Sequence, residues 1–217
     1  MSKKRIAVSI AFNSLLLIVL IRAIVNIVVN INLEPALYFE YLFGVIKLAE
    51  IICPMLLAIL TFVYIIALFH SYASGNKVPR FIDATRLILV STQIAIMLVE
   101  LCILCPYRGA FDISGYNIYI FYAIPLMTII AFLPTRSEYS VFGLLYANIL
   151  AVLYLATIIV LSAFNIIENP YKFLNVMTQD IYKSIINIVI ILAATTMTAG
   201  IFMLIARPRG KDSVIGK

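Results

Sequence analysis

Apolar residues in this chain fall in long blocks separated by short polar breaks. The blocks run from Ile6 to Ile31, Gly44 to His70, Ala84 to Cys105, Asn117 to Leu133, Tyr139 to Phe164 and Ile181 to Ala206. A helix rises about 1.5 Å per residue, so about 20 apolar residues carry it across a hydrocarbon core. The six blocks match or approach that length, the fourth being the shortest. They predict an all-α fold: a polytopic membrane protein whose six transmembrane helices form one bundle over residues 1–217. The breaks are brief, and the chain shows no low-complexity tract and no internal repeat. The opening Met1-Ser-Lys-Lys-Arg5 before an apolar run imitates a secretory signal. That run is longer than a signal core of about 7 to 15 residues, so it is read as an uncleaved first span.

Charge then orients the bundle. With the N-terminus in the cytoplasm, Lys3, Lys4, Arg5, Lys77, Arg80, Arg86, Arg136, Arg207, Arg209, Lys211 and Lys217 fall on the inner side, against Arg108, Lys172 and Lys183 outside. Because basic residues collect on the cytoplasmic side, both termini are expected there. Tyr38, Phe39, Tyr41, Tyr107, Tyr116, Tyr119 and Tyr171 cluster at block ends, as an aromatic belt requires.

Apart from Arg86 and Lys183 close to block ends, four charges fall inside the blocks: Arg22 in the first, Lys47 and Glu50 in the second, and Glu100 in the third. In this topology all four lie in the outer half of the membrane. Lys47 and Glu50 are three residues apart and share a helix face. An ionisable group within a span costs several kcal/mol unless it meets a partner or a wet cavity. Two cations and two anions at similar depth form a candidate outward-facing pocket; the alternative is separate snorkelling or structural ion pairing. Pro54 and Pro125 lack an N–H and so free the carbonyls four residues earlier, those of Glu50 and Phe121, again in the outer half.

Other chemistry is sparse. Cys102 and Cys105 have C-x-x-C spacing, but no second pair or nearby His accompanies them, and the three cysteines, with Cys53, are read as inert buried thiols rather than a disulfide or metal site. The single His70 closes the second block beside Lys77 and Arg80 and is read as interfacial. Thr195-Thr-Met-Thr-Ala-Gly200 offers small residues for close helix packing. No cofactor and no metal is expected.

Of the 217 residues, 64% are apolar and 12% charged, far from the roughly even balance of soluble domains. No stretch is long and polar enough for a soluble catalytic or nucleic-acid-binding domain. The net charge of +6 is accounted for by orientation, so membrane lipids are the expected partners and nucleic acid is not.

Three stretches together carry a likeness. Phe39-Glu-Tyr-Leu-Phe-Gly-Val45 enters the second block, Gly115-Tyr-Asn-Ile-Tyr-Ile-Phe-Tyr-Ala-Ile-Pro125 enters the fourth, and Glu168-Asn-Pro-Tyr-Lys-Phe-Leu-Asn-Val176 precedes the sixth. With this spacing the chain resembles the bacterial six-span membrane proteins related to the androgen-induced transmembrane hydrolases. That resemblance implies a bacterial plasma-membrane location. For the hydrolases themselves it implies a membrane-embedded threonine nucleophile and a histidine that cleave fatty-acid esters of hydroxy fatty acids. The positions matching those two residues are Phe43 and Phe121 here. Phenylalanine supplies neither a nucleophile nor a base, so no catalytic residue is assigned. Phe43 and Phe121 instead join Arg22, Lys47, Glu50 and Glu100 as candidate pocket residues. The expected role is non-catalytic binding of a lipid or lipid-like amphiphile. The alternatives are a hydrolase with a relocated site, for example with Lys47 as base, for which Glu50 and Glu100 lie at similar depth and Thr61 and Thr128 farther down their helices, or a small permease using the outer charges.

Overall fold

The computed structural model describes residues 3–33, 46–111, 113, 115, 117–135, 137, 139, 142–164 and 181–207, with the backbone alone at 30–33, 46–51, 103, 104, 107, 108, 154, 158 and 161–163. Most of these residues are helical, with no strand among them. The elements are α1 (Lys3–Leu33), α2 (Ile46–Ser74), α3 (Arg80–Val99), α4 (Cys105–Arg108), α5 (Ile124–Phe132), α6 (Phe142–Tyr146), α7 (Ile149–Ala163) and α8 (Ile181–Ala206).

Four helices among the described residues are long and apolar enough to cross a membrane: 3–29, 52–74, 80–102 and 181–206. The other two expected spans are represented by shorter apolar helices, 119–132 and 142–157. The lipid-facing character is plain on α1, where Leu15, Ile18, Ile21, Val25 and Val28 are exposed in a helical stripe while Leu16, Leu20, Ala23 and Ile27 are buried. A continuous apolar stripe turned outward is stable where the surroundings are themselves apolar.

α3 is the helix around which the others pack: it touches α2, α5, α6, α7 and α8. Its residues Leu87, Leu89, Val90, Ile94 and Ala95 are buried together with Asp83, Arg86, Ser91 and Gln93. One core layer joins Leu16, Leu20 and Ala23 of α1 to Cys53, Leu57 and Ala58 of α2, Leu89 of α3, and Ile124 and Ala131 of α5. A second joins Leu87, Val90 and Ile94 to Phe132, Phe202 and Ala206. The Thr195 to Gly200 stretch packs against the α6–α7 region: Asn148 Nδ2 donates to Thr196 Oγ1 at 2.7 Å, and a Cβ at Gly200 would sit 3.7 Å from Leu144.

Two π turns, Glu100–Leu104 and Tyr119–Ala123, interrupt the regular helices, and each is followed two residues later by a proline, Pro106 and Pro125. The cause is local. The N–H of Ile124 donates to the carbonyl of Tyr119, five residues back. The Ile120 carbonyl therefore loses its α-helical donor, and its π-helical donor would be Pro125, which has no N–H. Gln93 on α3 fills the vacancy, its Nε2 donating to the Ile120 carbonyl at 2.9 Å. The carbonyl that a neighbouring helix satisfies is thus Ile120, one residue before the one that the proline alone implicates. The Cys105 N–H likewise donates to Glu100.

Replacing Gln93 with Leu should leave the Ile120 carbonyl buried without a donor and cost about 1 to 3 kcal/mol. Adding Pro125→Ala, which returns a backbone N–H, should recover part of that loss in detergent melting. Equal melting of Gln93→Leu and the parent would show that the cross-helix bond contributes nothing.

Candidate functional site

Arg86, only 2% exposed, is a densely bonded polar group in the core. Its Nη1 donates to Thr135 Oγ1 at 2.7 Å, and its Nη2 donates to Asn13 Oδ1 at 2.8 Å and to the Ala131 carbonyl at 3.0 Å. The guanidinium lies over the Tyr64 ring at 4.0 Å and near the Phe132 ring at 5.1 Å. Asn13 is itself held, its Nδ2 donating to the Ser9 carbonyl at 2.7 Å. A buried cation needs hydrogen-bonded or charged partners. Here α1, α2, α5 and the segment after α5 all supply contacts to one α3 side chain. Arginine suits this because its planar fork serves several acceptors while its faces stack on aromatic rings.

One turn away on α3 is Asp83, also buried. Ser137 Oγ donates to Asp83 Oδ2 at 2.5 Å, and the Ser137 N–H donates to the Ala206 carbonyl at the end of α8, 3.1 Å away. Among the described residues Asp83 Oδ1 has no hydrogen-bond partner, and neither has the Tyr139 hydroxyl, which lies beside Ser137 in the field of both Asp83 and Arg86. Phe132 stacks on Tyr139 at 6.5 Å and meets Phe202 edge-on at 4.7 Å. This polar cluster sits at the end of the bundle that holds the start of α1, the α2–α3 turn and the end of α8.

Four polar side chains extend from it along one face of α3. Arg86, Gln93 and Glu100 recur at every seventh residue, and Asp83 lies one turn before Arg86. Two turns of helix bring a residue back to nearly the same face. All four are buried: Asp83 8%, Arg86 2%, Gln93 0% and Glu100 0% exposed. The rise from Asp83 to Glu100 is about 25 Å, most of a hydrocarbon core.

The sequence candidates are placed unevenly. Glu100 is fully buried and opens the first π turn. Phe121 lies in the second and packs with Ile27 and Ile120 beside Ile96 and Tyr122. Arg22 is exposed among the outward residues of α1, so the structure does not bring it into the core. Lys47 and Glu50 lie on α2, but their side chains are outside the described residues, as is Phe43 altogether. Thr61 and Thr128 are buried, and neither hydroxyl has a hydrogen-bond partner among the described residues. Cys53 is buried, but Cys102 is exposed and Cys105 partly so, which corrects the expectation that all three thiols are buried. His70 is exposed near the end of α2. No group of His, Cys, Asp and Glu that could hold a metal occurs among the described residues.

Sequence reasoning misses Arg86 and Asp83. A count of basic residues places Arg86 among the flanking charges, and Asp83 falls just before the expected start of the third span, whereas α3 begins at Arg80. The available signal is the heptad recurrence of charged and amide side chains, Arg86, Gln93 and Glu100, in a block whose other residues are apolar or small hydroxyls.

Arg86→Met should strip donors from Asn13, Thr135 and Ala131 and leave Asp83 without its nearest cation, costing about 3 to 5 kcal/mol. Arg22→Met should shift stability by no more than about 0.5 kcal/mol, as for an exposed position. Detergent melting of both variants checks this ranking, and a larger loss at Arg22 would reverse it.

No protein-family model matches the chain, and no curated protein or solved structure does.

Proposed function

We propose that this chain is a six-span bundle of a bacterial plasma membrane, related to the membrane-embedded lipid-ester hydrolases, that binds a lipid or amphiphile without cleaving it. The observation that supports this reading is that each π turn holds a buried side chain of a different kind, the carboxylate of Glu100 in one and the ring of Phe121 in the other. π turns are frequent at functional sites because they redirect side chains without ending the helix. In this reading a headgroup would meet Glu100, and a chain would meet the apolar cluster of Ile27, Ile96, Ile120 and Phe121. The ring at Phe121 stands where the hydrolase family would hold its base, so binding proceeds without an activated nucleophile.

In this reading α5 with its preceding π turn, and α6 with α7, serve as the fourth and fifth spans, and both termini face the cytoplasm. The basic residues near the start of α1 and the α2–α3 turn support that orientation.

Two experiments test these proposals. The purified protein should bind a nitroxide-labelled fatty-acid ester or monoacylglycerol in detergent, release no free fatty acid, and take up no fluorophosphonate. Hydrolysis lost on mutating Thr61 or Thr128 would replace the binding reading with a relocated active site. In a cysteine-free background, Ser114→Cys should react with an impermeant thiol reagent on intact cells and Ser74→Cys should not. The reverse pattern would invert the topology.

A further inference from the structure

The end of the bundle that holds the Arg86 cluster also carries an exposed basic rim that amphiphile binding at the π turns does not use. Ile6 of α1, Tyr64 and Leu68 of α2 and Ile82 of α3 form one buried cluster, with Val78 of the α2–α3 turn packed against it. Lys3 and Lys4 precede Ile6 by less than a turn, and Arg80 just precedes Ile82, so their backbones lie within about 5 Å of that layer along the helix axes. Lys3 Nζ stands 5.6 Å from the centre of the Tyr72 ring, which joins the start of α1 to the last turn of α2. The turn that presents Lys77 is fixed by its own bonds. Gly75 closes α2 at a φ of 76°, a left-handed conformation that glycine adopts without strain, and its N–H donates to the Ser71 carbonyl at 3.0 Å. Ser71 Oγ donates to the Asn76 carbonyl at 2.5 Å, and the Ile82 N–H donates to the Pro79 carbonyl at 3.1 Å.

Lys3, Lys4, Lys77 and Arg80 are all exposed. The carboxylates among the described side chains, Asp83 and Glu100, are both buried, so no described anion on the surface neutralises the rim. The rim also borders exposed apolar surface: the Lys4 face of α1 continues through Val8, Leu15 and Ile18, and Phe81 beside Arg80 is 71% exposed. A soluble anion meets only the charges of such a rim. A phospholipid meets both surfaces, its phosphate at the cations and its chains on the apolar side chains below them. We infer that this rim is a binding site for the headgroups of anionic phospholipids, and that it selects phosphatidylglycerol over phosphatidylcholine. Phosphatidylcholine carries the same phosphate, but its quaternary ammonium compensates it. Each lysine or arginine beside an anionic membrane surface favours association by about five-fold.

The rim lies at the opposite end of α3 from the π turns, so this inference and amphiphile binding fail separately. The chain has no tryptophan, so a single one introduced at the rim reports on that place alone. The full chain carrying Phe81→Trp is reconstituted in phosphatidylcholine vesicles that contain a minority of phosphatidylglycerol or of phosphatidylcholine, either one dibrominated near the headgroup end of its chains to quench the indole. Phosphatidylglycerol should quench with several-fold higher apparent affinity. At Leu153→Trp, exposed on α7, a helix without a basic residue, the two lipids should quench equally. Changing Lys3, Lys4, Lys77 and Arg80 to Gln in the Phe81→Trp protein should bring the two lipids together there as well. Lys77→Arg with Arg80→Lys should keep the preference, and so should Lys183→Gln near the start of α8. High salt should weaken the preference in the protein with all four cations intact, a readout that needs no change at the rim. Inorganic phosphate should not release the lipid. Equal quenching by both lipids at Phe81→Trp overturns the inference, as does a preference that survives both neutralisation and salt or that is just as large at Leu153→Trp. Release by inorganic phosphate would assign the rim to soluble anions instead.

Discussion

A guanidinium held almost out of reach of solvent sets the terms for one end of this bundle. Among the described residues Arg86 has no carboxylate in hydrogen-bond contact; its acceptors are an amide, a hydroxyl and a backbone carbonyl. Hydrogen bonds to a charged group are worth more than neutral ones, and leaving such a group unmet in an apolar interior costs several kcal/mol. Each acceptor must therefore stay in position, and each belongs to a different part of the chain. Asn13 fixes the height of α1, Ala131 the end of α5, and Thr135 the course of the segment after it. The ring of Phe132 passes this order on to α8 through Phe202. The register of several helices is thus set by one side chain rather than by interchangeable apolar contacts, which tolerate sliding.

The opposite end is governed by the backbone. Proline removes a donor, the helix answers with a longer hydrogen-bonded turn, and one carbonyl is left for a side chain to satisfy. Gln93 does so from the same face of α3 that carries Arg86 seven residues earlier. α3 consequently meets its neighbours through polar bonds at two levels, with the Leu89 and Val90 layers between them apolar. Polar bonds between helices in a membrane are individually modest. Here they fix register, while the apolar layers supply most of the buried surface.

The helical blocks are legible in the sequence because the length of an apolar run is a direct consequence of bilayer thickness. Which face of each block turns inward is not. α1 is apolar on both faces, and nothing in its own pattern announces that Asn13 is buried while Arg22 is exposed; only the partners decide. Arg86 is misplaced for a related reason: counting basic residues near block ends assigns them to the interface, and that count cannot distinguish a charge that reaches water from one folded under its neighbours. The third block nevertheless contains its own answer. The residues at 86, 93 and 100 that carry a charge or an amide share a face and are buried, whereas Thr85 and Thr92, also seven apart, bond back to their own helix and are not buried. The fifth block is long enough in sequence and the fourth approaches that length, but a π turn, a proline and the Tyr146–Ile149 break divide them into shorter helices than hydrophobicity alone implies.

These cases share one inversion. In water the apolar face of a helix is the buried one; in this chain Ile59, Phe62, Ile66 and Phe69 of α2 are exposed while Thr61 and Tyr64 are buried. Lipid is as apolar as leucine, so apolar residues gain little by turning inward, whereas a polar group gains much by leaving the lipid. A polar side chain on an inward face is therefore the informative residue, and the same reasoning sets Arg22 apart. Arg22 is exposed together with its neighbours Ile21 and Val25, so it lies on the outward face of α1 and not in the core with Glu100.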